Sequence, residues 1–271
     1  MGSVPFAVGA FSKLFLRYGC RDVRVEGLPT FLQALQSDRG VLTLANHVSV
    51  VDEPFMWGSI PLRNFLNSRQ LRWTLGASDM MFNGKVDSWF FTKGQVIETF
   101  RGKGIYQKAL DVATKKLDEG NWVHIFPEGR IKQEDLHNLR RFKWGISRIL
   151  MECERLPLII PVWIKGFEQV MDEPRVSPNF APRLGKDVTI MFGESINSAI
   201  EPHLATYHEL FPQGWRPATY DRPVGADLEA EPKELALMRS EMAEALRREL
   251  MRLGDRVEEV ERQPPSKLVG W

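Results

Sequence analysis

Short apolar runs alternate with amphipathic helical patterns over the first two hundred residues of the chain. Apolar runs of this kind, bounded by turn residues, are typical of buried strands, and the helical patterns between them predict strand–helix units on a largely parallel sheet. The candidate strands are Gly40–Ala45, Leu71–Ala77, Gln95–Glu98, Trp122–Phe126, Leu158–Ile164 and Asp187–Phe192. The pattern therefore predicts an α/β domain with a parallel or mixed sheet flanked by helices.

Two stretches carry clear helical periodicity. Between Ile105 and Leu117 apolar residues recur on one face, and Gly120 supplies a stop signal. Between Pro232 and Arg262 they recur at three- and four-residue steps, which predicts a long amphipathic C-terminal helix. The apolar face of that helix packs on its own domain, on a partner or on lipid, and the pattern favours the first.

The chain divides into four parts by pattern. Residues 1–20 form a basic amphipathic segment, residues 21–210 the α/β domain, residues 211–231 a loop rich in Pro and Gly, and residues 232–271 the C-terminal helix and tail. Three basic residues precede the first acid, Asp22, and are mixed with apolar residues. This arrangement is typical of an interfacial membrane segment or a mitochondrial targeting signal, and equally of an ordinary helix docked on the core.

Composition narrows the classes of function. The 271 residues carry a formal net charge of +1 with basic and acidic residues interleaved, so no basic field directs the chain to nucleic acid. Two cysteines outside any C-x-x-C pattern and five histidines without an HExxH-type pair suggest no metal site. No run reaches the roughly 18 to 20 apolar residues that cross a bilayer, so we expect membrane contact to be peripheral.

The sharpest chemical feature is His47, which follows the first candidate strand and precedes Asp52 by five residues. Histidine can take and return a proton near neutral pH, and a carboxylate on its second ring nitrogen fixes the tautomer and stabilises the imidazolium. On a regular helix residues five apart point about 140° away from each other, so the pair can meet only across a turn. Pro54 favours a helix start there, with His47 in the loop before it. In an isolated H-x4-D pattern the acid is more often a helix N-cap and the histidine a hydrogen-bonded loop residue. The neighbouring sequence blocks must therefore decide whether this pair is catalytic.

Three further blocks offer groups for an anionic substrate. Glu128, Gly129 and Arg130 follow the fourth candidate strand. Glycine allows the backbone to come close to a ligand, glutamate can accept hydrogen bonds from hydroxyl groups, and arginine can form paired hydrogen bonds with a phosphate. Taken alone, this block is a turn with a surface ion pair. Arg101 precedes the first long predicted helix, whose free N–H groups favour an anion. The basic and aromatic stretch 140–144 suits an acidic membrane surface or a solvated helix start.

Taken in order, these blocks resemble the glycerolipid acyltransferase superfamily. His47 and Asp52 follow one strand, Arg101 another and the Glu-Gly-Arg block a third, while Pro161 lies on a fourth. The longer strings GNWVHIFPEGRIK and RFKWGISRILMEC are similar to mitochondrial transacylases that remodel cardiolipin, and the resemblance covers roughly residues 41–193. The block before Arg101 lacks the Gly and the acid that are usual there, and the third block has arginine where threonine is common.

This resemblance implies transfer of acyl chains between phospholipids and lysophospholipids without coenzyme A, metal or other cofactor. His47 would be the general base and acid, and Asp52 would orient it. The residues implied for substrate binding are Asn46, Arg101, Glu128, Gly129, Arg130 and Pro161. The implied partners are cardiolipin, phosphatidylcholine, phosphatidylethanolamine and a mitochondrial membrane, inner or outer, facing the intermembrane space. The oligomeric state stays open, a homo-oligomer included.

Two other functions fit the same residues. An acyl-coenzyme A-dependent lysophospholipid acyltransferase would share every block, and a lipid-binding protein of the membrane surface could use the fold without turnover. In the enzymatic cases lipid must reach His47 along an apolar surface, for which Phe55–Leu62 is the candidate. The segment Trp89–Phe91 either joins that surface or, by a slight preference, packs in the core.

Overall fold

A computed structural model of the chain describes residues 3–174, 177–178, 180–215 and 231–261. Most of the predicted loop 211–231 and the tail 262–271 therefore lie outside the described residues. Within them the chain forms a seven-stranded sheet with helices on both faces. This architecture confirms the predicted α/β class.

The sheet has the strand order β1-β7-β6-β2-β5-β3-β4. The strands are β1 Asp22–Glu26, β2 Val41–Ala45, β3 Trp73–Ala77, β4 Val96–Thr99, β5 Trp122–Ile125, β6 Leu158–Lys165 and β7 Asp187–Phe192. Neighbouring strands are parallel except β6 and β7, which are antiparallel. The six predicted strands agree with six of these to within two residues. β1 is absent from the prediction, because its two valines alternate with charged residues and only Val23 is buried.

Helices cover both faces of the sheet. The described α-helices are α1 Ser3–Leu14, α2 Leu28–Ala34, α3 Asp52–Met56, α4 Ser78–Met81, α5 Lys85–Lys93, α6 Lys108–Asp118, α7 Gly145–Glu152, α8 Phe167–Val170, α9 Glu201–Leu210 and α10 Lys233–Glu261. The helix predicted from Ile105 begins only at Lys108, because the Gln107 side chain turns back to bond the backbone of Phe100 and Gly104. None of the described helices is long and apolar enough to span a bilayer.

Two hydrophobic cores hold these layers together. Alternate residues of β6 enter different cores: Ile159 and Trp163 face α6, α7, α9 and α10, while Ile160 and Val162 face α2, α3, α8 and the turn after α1 that carries Phe15 and Leu16. Such alternation is expected of a strand that is buried on both faces. α10 contacts β6, α7 and α9, which confirms that the C-terminal helix packs on its own domain.

The N-terminal helix α1 docks on the domain and also exposes apolar side chains. Gly9 lies against the ring of Phe65, and Gly58 lies against the backbone of Ser12, so α1 approaches residues 52–66 closely. The exposed apolar residues of this segment are Phe6, Phe11, Leu14 and Tyr18. The interpretation of a helix docked on the core is confirmed, while its outer face remains available to another partner.

The close approach of α10 to the sheet at Gly254 can be tested by substitution. A Cβ added at Gly254 would lie 2.7 Å from the ring of Trp163. Gly254→Leu should therefore lower the free energy of unfolding by about 1–3 kcal/mol, because the packed core must shift to admit the side chain. Leu237, which is 59% exposed on the same helix, supplies the control, and Leu237→Glu should change stability by less than about 0.5 kcal/mol. Urea unfolding followed by circular dichroism measures both, and equal effects would show that α10 is not packed at Gly254.

Candidate active site

His47 lies in the loop after β2, and Asp52 is the first residue of α3, as the sequence predicts. The imidazole Nδ1 lies 2.9 Å from Oδ2 of Asp52. The same carboxylate oxygen accepts hydrogen bonds from the backbone N–H groups of Val48 at 2.6 Å and Ser49 at 2.8 Å. Asp52 therefore reaches back into the loop instead of capping α3, so its interpretation as a simple N-cap is wrong.

The two members of the pair differ in exposure. Asp52 is completely buried, whereas the His47 side chain retains 20% of its exposure. Burial raises the pKa of the Asp52 carboxyl, against the lowering effect of the hydrogen bonds from His47 and from the two backbone amides. Since Nδ1 of His47 is engaged by the carboxylate, Nε2 is the ring nitrogen available to exchange a proton with a substrate hydroxyl.

The loop after β5 braces the loop that carries His47. The ring of Phe126 stacks on the imidazole, with centroids 4.1 Å apart and planes inclined by 18°. The buried Glu128 carboxylate accepts from the backbone N–H of His47 at 3.2 Å and from that of Arg140 at 2.8 Å. The backbone N–H of Lys132 donates to the His47 carbonyl at 2.8 Å. Glu128, inferred as a substrate-binding residue, is thus a positioning residue for the backbone of His47.

Gln133 is a second brace, and nothing in the sequence marks it. Its Nε2 donates to the carbonyls of Val48 at 2.8 Å and Met171 at 2.9 Å, and its Oε1 accepts from the backbone N–H of Glu173 at 2.7 Å. Glutamine is common in polar loops, and these three partners come from two segments distant in sequence. Gln133 therefore joins the His47 loop to the chain beyond α8.

Two residues inferred for substrate binding lie below the surface of the site. The Asn46 side chain exchanges two hydrogen bonds, of 2.8 and 2.9 Å, with the backbone of Ile164 and so joins the end of β2 to β6. Pro161 is buried inside β6, and a Cβ added at Gly193 would lie 2.7 Å from its ring. The structure gives both residues positions in the framework of the site and exposes neither to a ligand.

The remaining inferred residues lie at different distances from His47. Gly129 and Arg130 are exposed directly after Glu128, and Gly129 has φ 69°, a left-handed conformation that favours glycine. Arg101 follows β4, three strands from β2 in the sheet order, which corresponds to about 14 Å at the usual strand spacing. It lies 3.6 Å from Asp79. The helix predicted from Ile105, after the Arg101 block, begins three residues later, at Lys108.

Both predictions about lipid access are reversed in the structure. The segment Phe55–Leu62 is largely core, between α1 and the sheet; its buried side chains include Phe55, Met56, Trp57 and Ile60. In contrast, Trp89 and Phe90 are exposed on α5, a helix with no buried residue. The exposed apolar side chains therefore lie on α5 and on α1, and not in the segment Phe55–Leu62.

A second histidine, His124, is buried and packs against Phe126, the residue that stacks on His47. Its ring lies edge-on to Phe126 at 4.6 Å and to Trp57 at 4.9 Å, and its Nδ1 lies 2.9 Å from Oγ1 of Thr43. Burial, reinforced by the positive charge of Arg72, holds the pKa of His124 well below its usual value. His124 is therefore a neutral packing residue. In the part of the chain that the structure describes, no group of side chains could hold a metal ion.

Comparison with known proteins finds enzymes of acyl transfer. A family model described as Acyltransferase matches residues 23–165. Tafazzin of Drosophila melanogaster is 36% identical over 197 residues, which cover 72% of this chain and 50% of that protein. N-acylphosphatidylethanolamine synthase of Arabidopsis thaliana is 33% identical over 206 residues, which cover 72% of each chain. The chain thus spans half the length of the Drosophila protein, and this similarity to tafazzin confirms the family resemblance that the longer strings indicate.

A solved structure has the same fold. The crystal structure of the 1-acyl-sn-glycerophosphate acyltransferase PlsC from Thermotoga maritima superposes with a TM-score of 0.52 over 78% of this chain and 80% of that one. Sequence identity is 19%, so this similarity concerns the fold alone. It agrees with the predicted acyltransferase-like domain.

The buried Asp52 carboxyl should make stability depend on pH. A carboxyl whose pKa is raised by folding stabilises the native state below its unfolded pKa, and this contribution is lost as the pH rises through the folded pKa. Asp52→Asn removes that loss, so the melting temperature of the variant relative to wild type should rise as the pH increases from about 4. Thermal unfolding at several pH values measures the difference. A difference that does not vary with pH would show that folding leaves the Asp52 pKa unchanged.

Proposed function

The chain belongs to the acyltransferase family, and from that premise we propose that it transfers acyl chains between phospholipids and lysophospholipids without coenzyme A. The contact between His47 and the buried Asp52 carries the proposal. An imidazole whose tautomer is fixed can both remove a hydroxyl proton and return it to a leaving oxygen. Similarity to the Drosophila tafazzin supports lipids as donor and acceptor.

The reaction begins with the acceptor hydroxyl of a lysophospholipid at Nε2 of His47. The imidazole takes the proton while the hydroxyl oxygen attacks the ester carbonyl of the donor phospholipid, and Asp52 stabilises the imidazolium. The tetrahedral intermediate then collapses, and His47 gives the proton to the departing oxygen of the donor, which leaves as a lysophospholipid. One ester replaces another, so no activated thioester is needed and the same residue serves both directions.

General base catalysis of this kind contributes about 10²- to 10⁴-fold, and orientation of the reacting groups must supply much of the remainder. The braces around His47 meet this requirement. Glu128 and Lys132 hold its backbone on both sides, and Phe126 limits the tilt of its ring. The imidazole therefore needs little rearrangement before it reacts.

We further propose that the face formed by α1 and α5 lies on the membrane surface. The two helices are in contact, and α5 follows β3 at the edge of the sheet where His47 also lies. The exposed apolar residues of these two helices are Phe6, Phe11, Leu14, Val86, Trp89 and Phe90, and Tyr18 is exposed just after α1. Clustered exposed aromatic residues are typical of membrane contact. This orientation would turn the site toward the lipid.

The choice of membrane and lipids rests on the resemblance to mitochondrial transacylases. We propose a peripheral position on a mitochondrial membrane, inner or outer, facing the intermembrane space. Cardiolipin, phosphatidylcholine and phosphatidylethanolamine are the proposed substrates. The exposed apolar and basic residues of the N-terminal segment support surface contact.

A second candidate is transfer of the acyl chain to an amine. The Arabidopsis relative, whose name describes N-acylation of phosphatidylethanolamine, is matched over 72% of its length, compared with 50% for the Drosophila tafazzin. A histidine base can accept a proton from an amine nucleophile as it does from a hydroxyl. The product would then be an amide, which resists mild alkali, whereas the product of the first proposal is an ester.

The main proposal predicts transfer of labelled acyl chains from phosphatidylcholine to lysocardiolipin without coenzyme A or metal. His47→Ala should lower the rate by at least about 10²-fold, because the proton acceptor is lost, while circular dichroism stays unchanged. His137 supplies the matched control, since it lies on the surface beside Glu258. His137→Ala should transfer at the wild-type rate.

Each alternative gives a different result in the same assay. A strict requirement for acyl-coenzyme A would place the chain with the coenzyme A-dependent acyltransferases. Lipid binding without transfer would identify a non-catalytic lipid-binding protein. An alkali-stable product from phosphatidylethanolamine would favour the amine acceptor, and near wild-type turnover by a well-folded His47→Ala variant would exclude the mechanism.

The membrane-facing surface can be tested by introducing charge. Phe11→Glu combined with Trp89→Glu should weaken binding to vesicles of phosphatidylcholine and phosphatidylglycerol by about tenfold or more, because two exposed aromatic side chains that would enter the membrane are lost. Leu237→Glu, on the opposite side of the sheet, adds a similar charge to an exposed apolar position and should leave binding unchanged. Co-sedimentation with vesicles measures both, and equal binding of all proteins would place the membrane contact elsewhere.

A further inference from the structure

Asp52 and Glu53 are consecutive residues of α3, so their side chains leave the helix in directions about 100° apart. The Glu53 carboxylate accepts hydrogen bonds from two nitrogens of Arg72, from Nε at Oε1 and from Nη2 at Oε2, the latter at 2.9 Å. The indole N–H of Trp57 donates to the same carboxylate at 3.1 Å. The Arg72 and Glu53 side chains are only 10% and 19% exposed. A shielded, paired contact of this kind holds its partners in one orientation.

The helix that carries both acids is short. α3 has only five residues, and a helix of this length has little stability of its own, so contacts with the rest of the fold set its orientation. On one side Asp52 accepts from the loop that carries His47. On another side Glu53 is bonded to Arg72. Rotation of α3 about its axis would therefore break the contact with Arg72 whenever it moved the Asp52 carboxylate away from His47.

Arg72 is itself held by a second helix. Its Nη1 donates to the backbone carbonyl of Gly94 at 2.9 Å, where α5 ends. The last carbonyl groups of a helix lack partners within the helix, and a positive charge there opposes the negative end of the helix dipole. All nine residues of α5 are at least partly exposed, so burial contributes little to its attachment. One guanidinium thus joins the end of α5 to the helix that begins with Asp52.

The backbone beside this contact is also fixed. Gln95, which follows Gly94, has φ 61°, a left-handed conformation that is uncommon for a residue other than glycine. Its carbonyl accepts from the backbone N–H of Thr74 on β3 at 3.1 Å, and Arg72 directly precedes β3. A residue in such a conformation persists only where its surroundings determine it. Arg72 is therefore attached to a well-defined part of the fold.

We propose that Arg72 is a positioning residue, which holds Glu53, and through Glu53 the orientation of Asp52, against the fixed end of α5. Asp52 in turn fixes the tautomer of His47. A displacement of about 1 Å at a catalytic group can cost about 10²-fold in rate, so Arg72 can act on turnover without touching His47 or the lipid. The effect on transfer rests on the proposed function, whereas the effect on the tautomer does not depend on the reaction.

Arg69 supplies a matched control. Like Arg72, it donates to a glycine carbonyl, that of Gly120 at 3.1 Å. Arg69 is exposed, and Gly120 lies just before β5, at the edge of the sheet opposite to His47. Arg69→Gln therefore removes the same charge and a similar contact three residues away from Arg72, without any bond to α3.

The first experiment follows the tautomer of His47 by nitrogen NMR of protein labelled at histidine, at a pH where the imidazole is neutral. The spectrum of His47→Ala assigns the signals. In the wild type the proton should reside on Nδ1, beside Asp52. Arg72→Gln should mix the two tautomers and move both nitrogen signals toward intermediate values, whereas Arg69→Gln should give the wild-type signals. Unchanged His47 signals in a folded Arg72→Gln variant would overturn the proposal.

The second experiment measures transfer from phosphatidylcholine to lysocardiolipin. Arg72→Gln should lower kcat by about tenfold or more and leave KM for the acceptor within about twofold, because orientation is lost and not binding. Arg72→Lys keeps the charge but lacks the planar group that reaches Glu53 through two nitrogens and Gly94 through a third, so it should recover only part of the rate. Wild-type kcat in Arg72→Lys would show that charge alone suffices and would overturn the proposal.

A milder variant separates positioning from folding. Glu53→Gln retains the size of the side chain and should shift the His47 signals in the same direction, even where Arg72→Gln does not fold by circular dichroism. A lower melting temperature with unchanged His47 signals would make the contact a stabilising one only, and the proposal would fail. Shifted signals in a chain that transfers no acyl group would refute the proposed function and leave the positioning role of Arg72 standing.

Discussion

A completely buried carboxylate is the constraint on which the rest of the site depends. Asp52 cannot remain ionised inside the domain unless its charge is compensated, and the compensation comes from three donors on one oxygen: the His47 imidazole and the backbone N–H groups of Val48 and Ser49. These bonds fix the turn between β2 and α3. They also leave Nε2 as the ring nitrogen of His47 that can serve the proposed substrate, so the fold of the turn and its proposed chemistry depend on the same oxygen.

The sheet topology explains why this turn can be so well supported. β2 lies between β5 and β6 and runs parallel to both, so the loops that leave all three strands meet at one edge. On one side the Asn46 side chain hydrogen-bonds to β6 at Ile164. On the other side Glu128, from the loop after β5, accepts a hydrogen bond from the backbone N–H of His47. Because the braces arise from rigid strand ends, the histidine is oriented before any ligand arrives.

Features that depend on a local residue pattern could be predicted from the sequence. Features that depend on which element packs over a given surface could not. Six strands and the turn between His47 and Asp52 followed from apolar runs and Pro54. β1 did not, because an edge strand buries little. The aromatic residues after Asp52 and those on α5 look alike in the sequence, and only the docking of α1 decides that the former are core. No sequence pattern marks Gln133, because its partners Val48 and Met171 are distant in sequence and are brought together only by the fold.

The same reasoning applies to the charges. Arg101 and Arg140 are equally basic in the sequence, and their distance from the histidine depends on strand order, which no local pattern contains. In the fold the loop after β5, which carries Arg130, leaves the sheet at the same edge as the loop that carries His47, because β2 and β5 are parallel neighbours. In a phospholipid the ester carbonyl lies between the acyl chain and the phosphate. Under the proposed function, His47 would serve this carbonyl between the basic residues of the loop after β5 and the apolar surface proposed for α1 and α5.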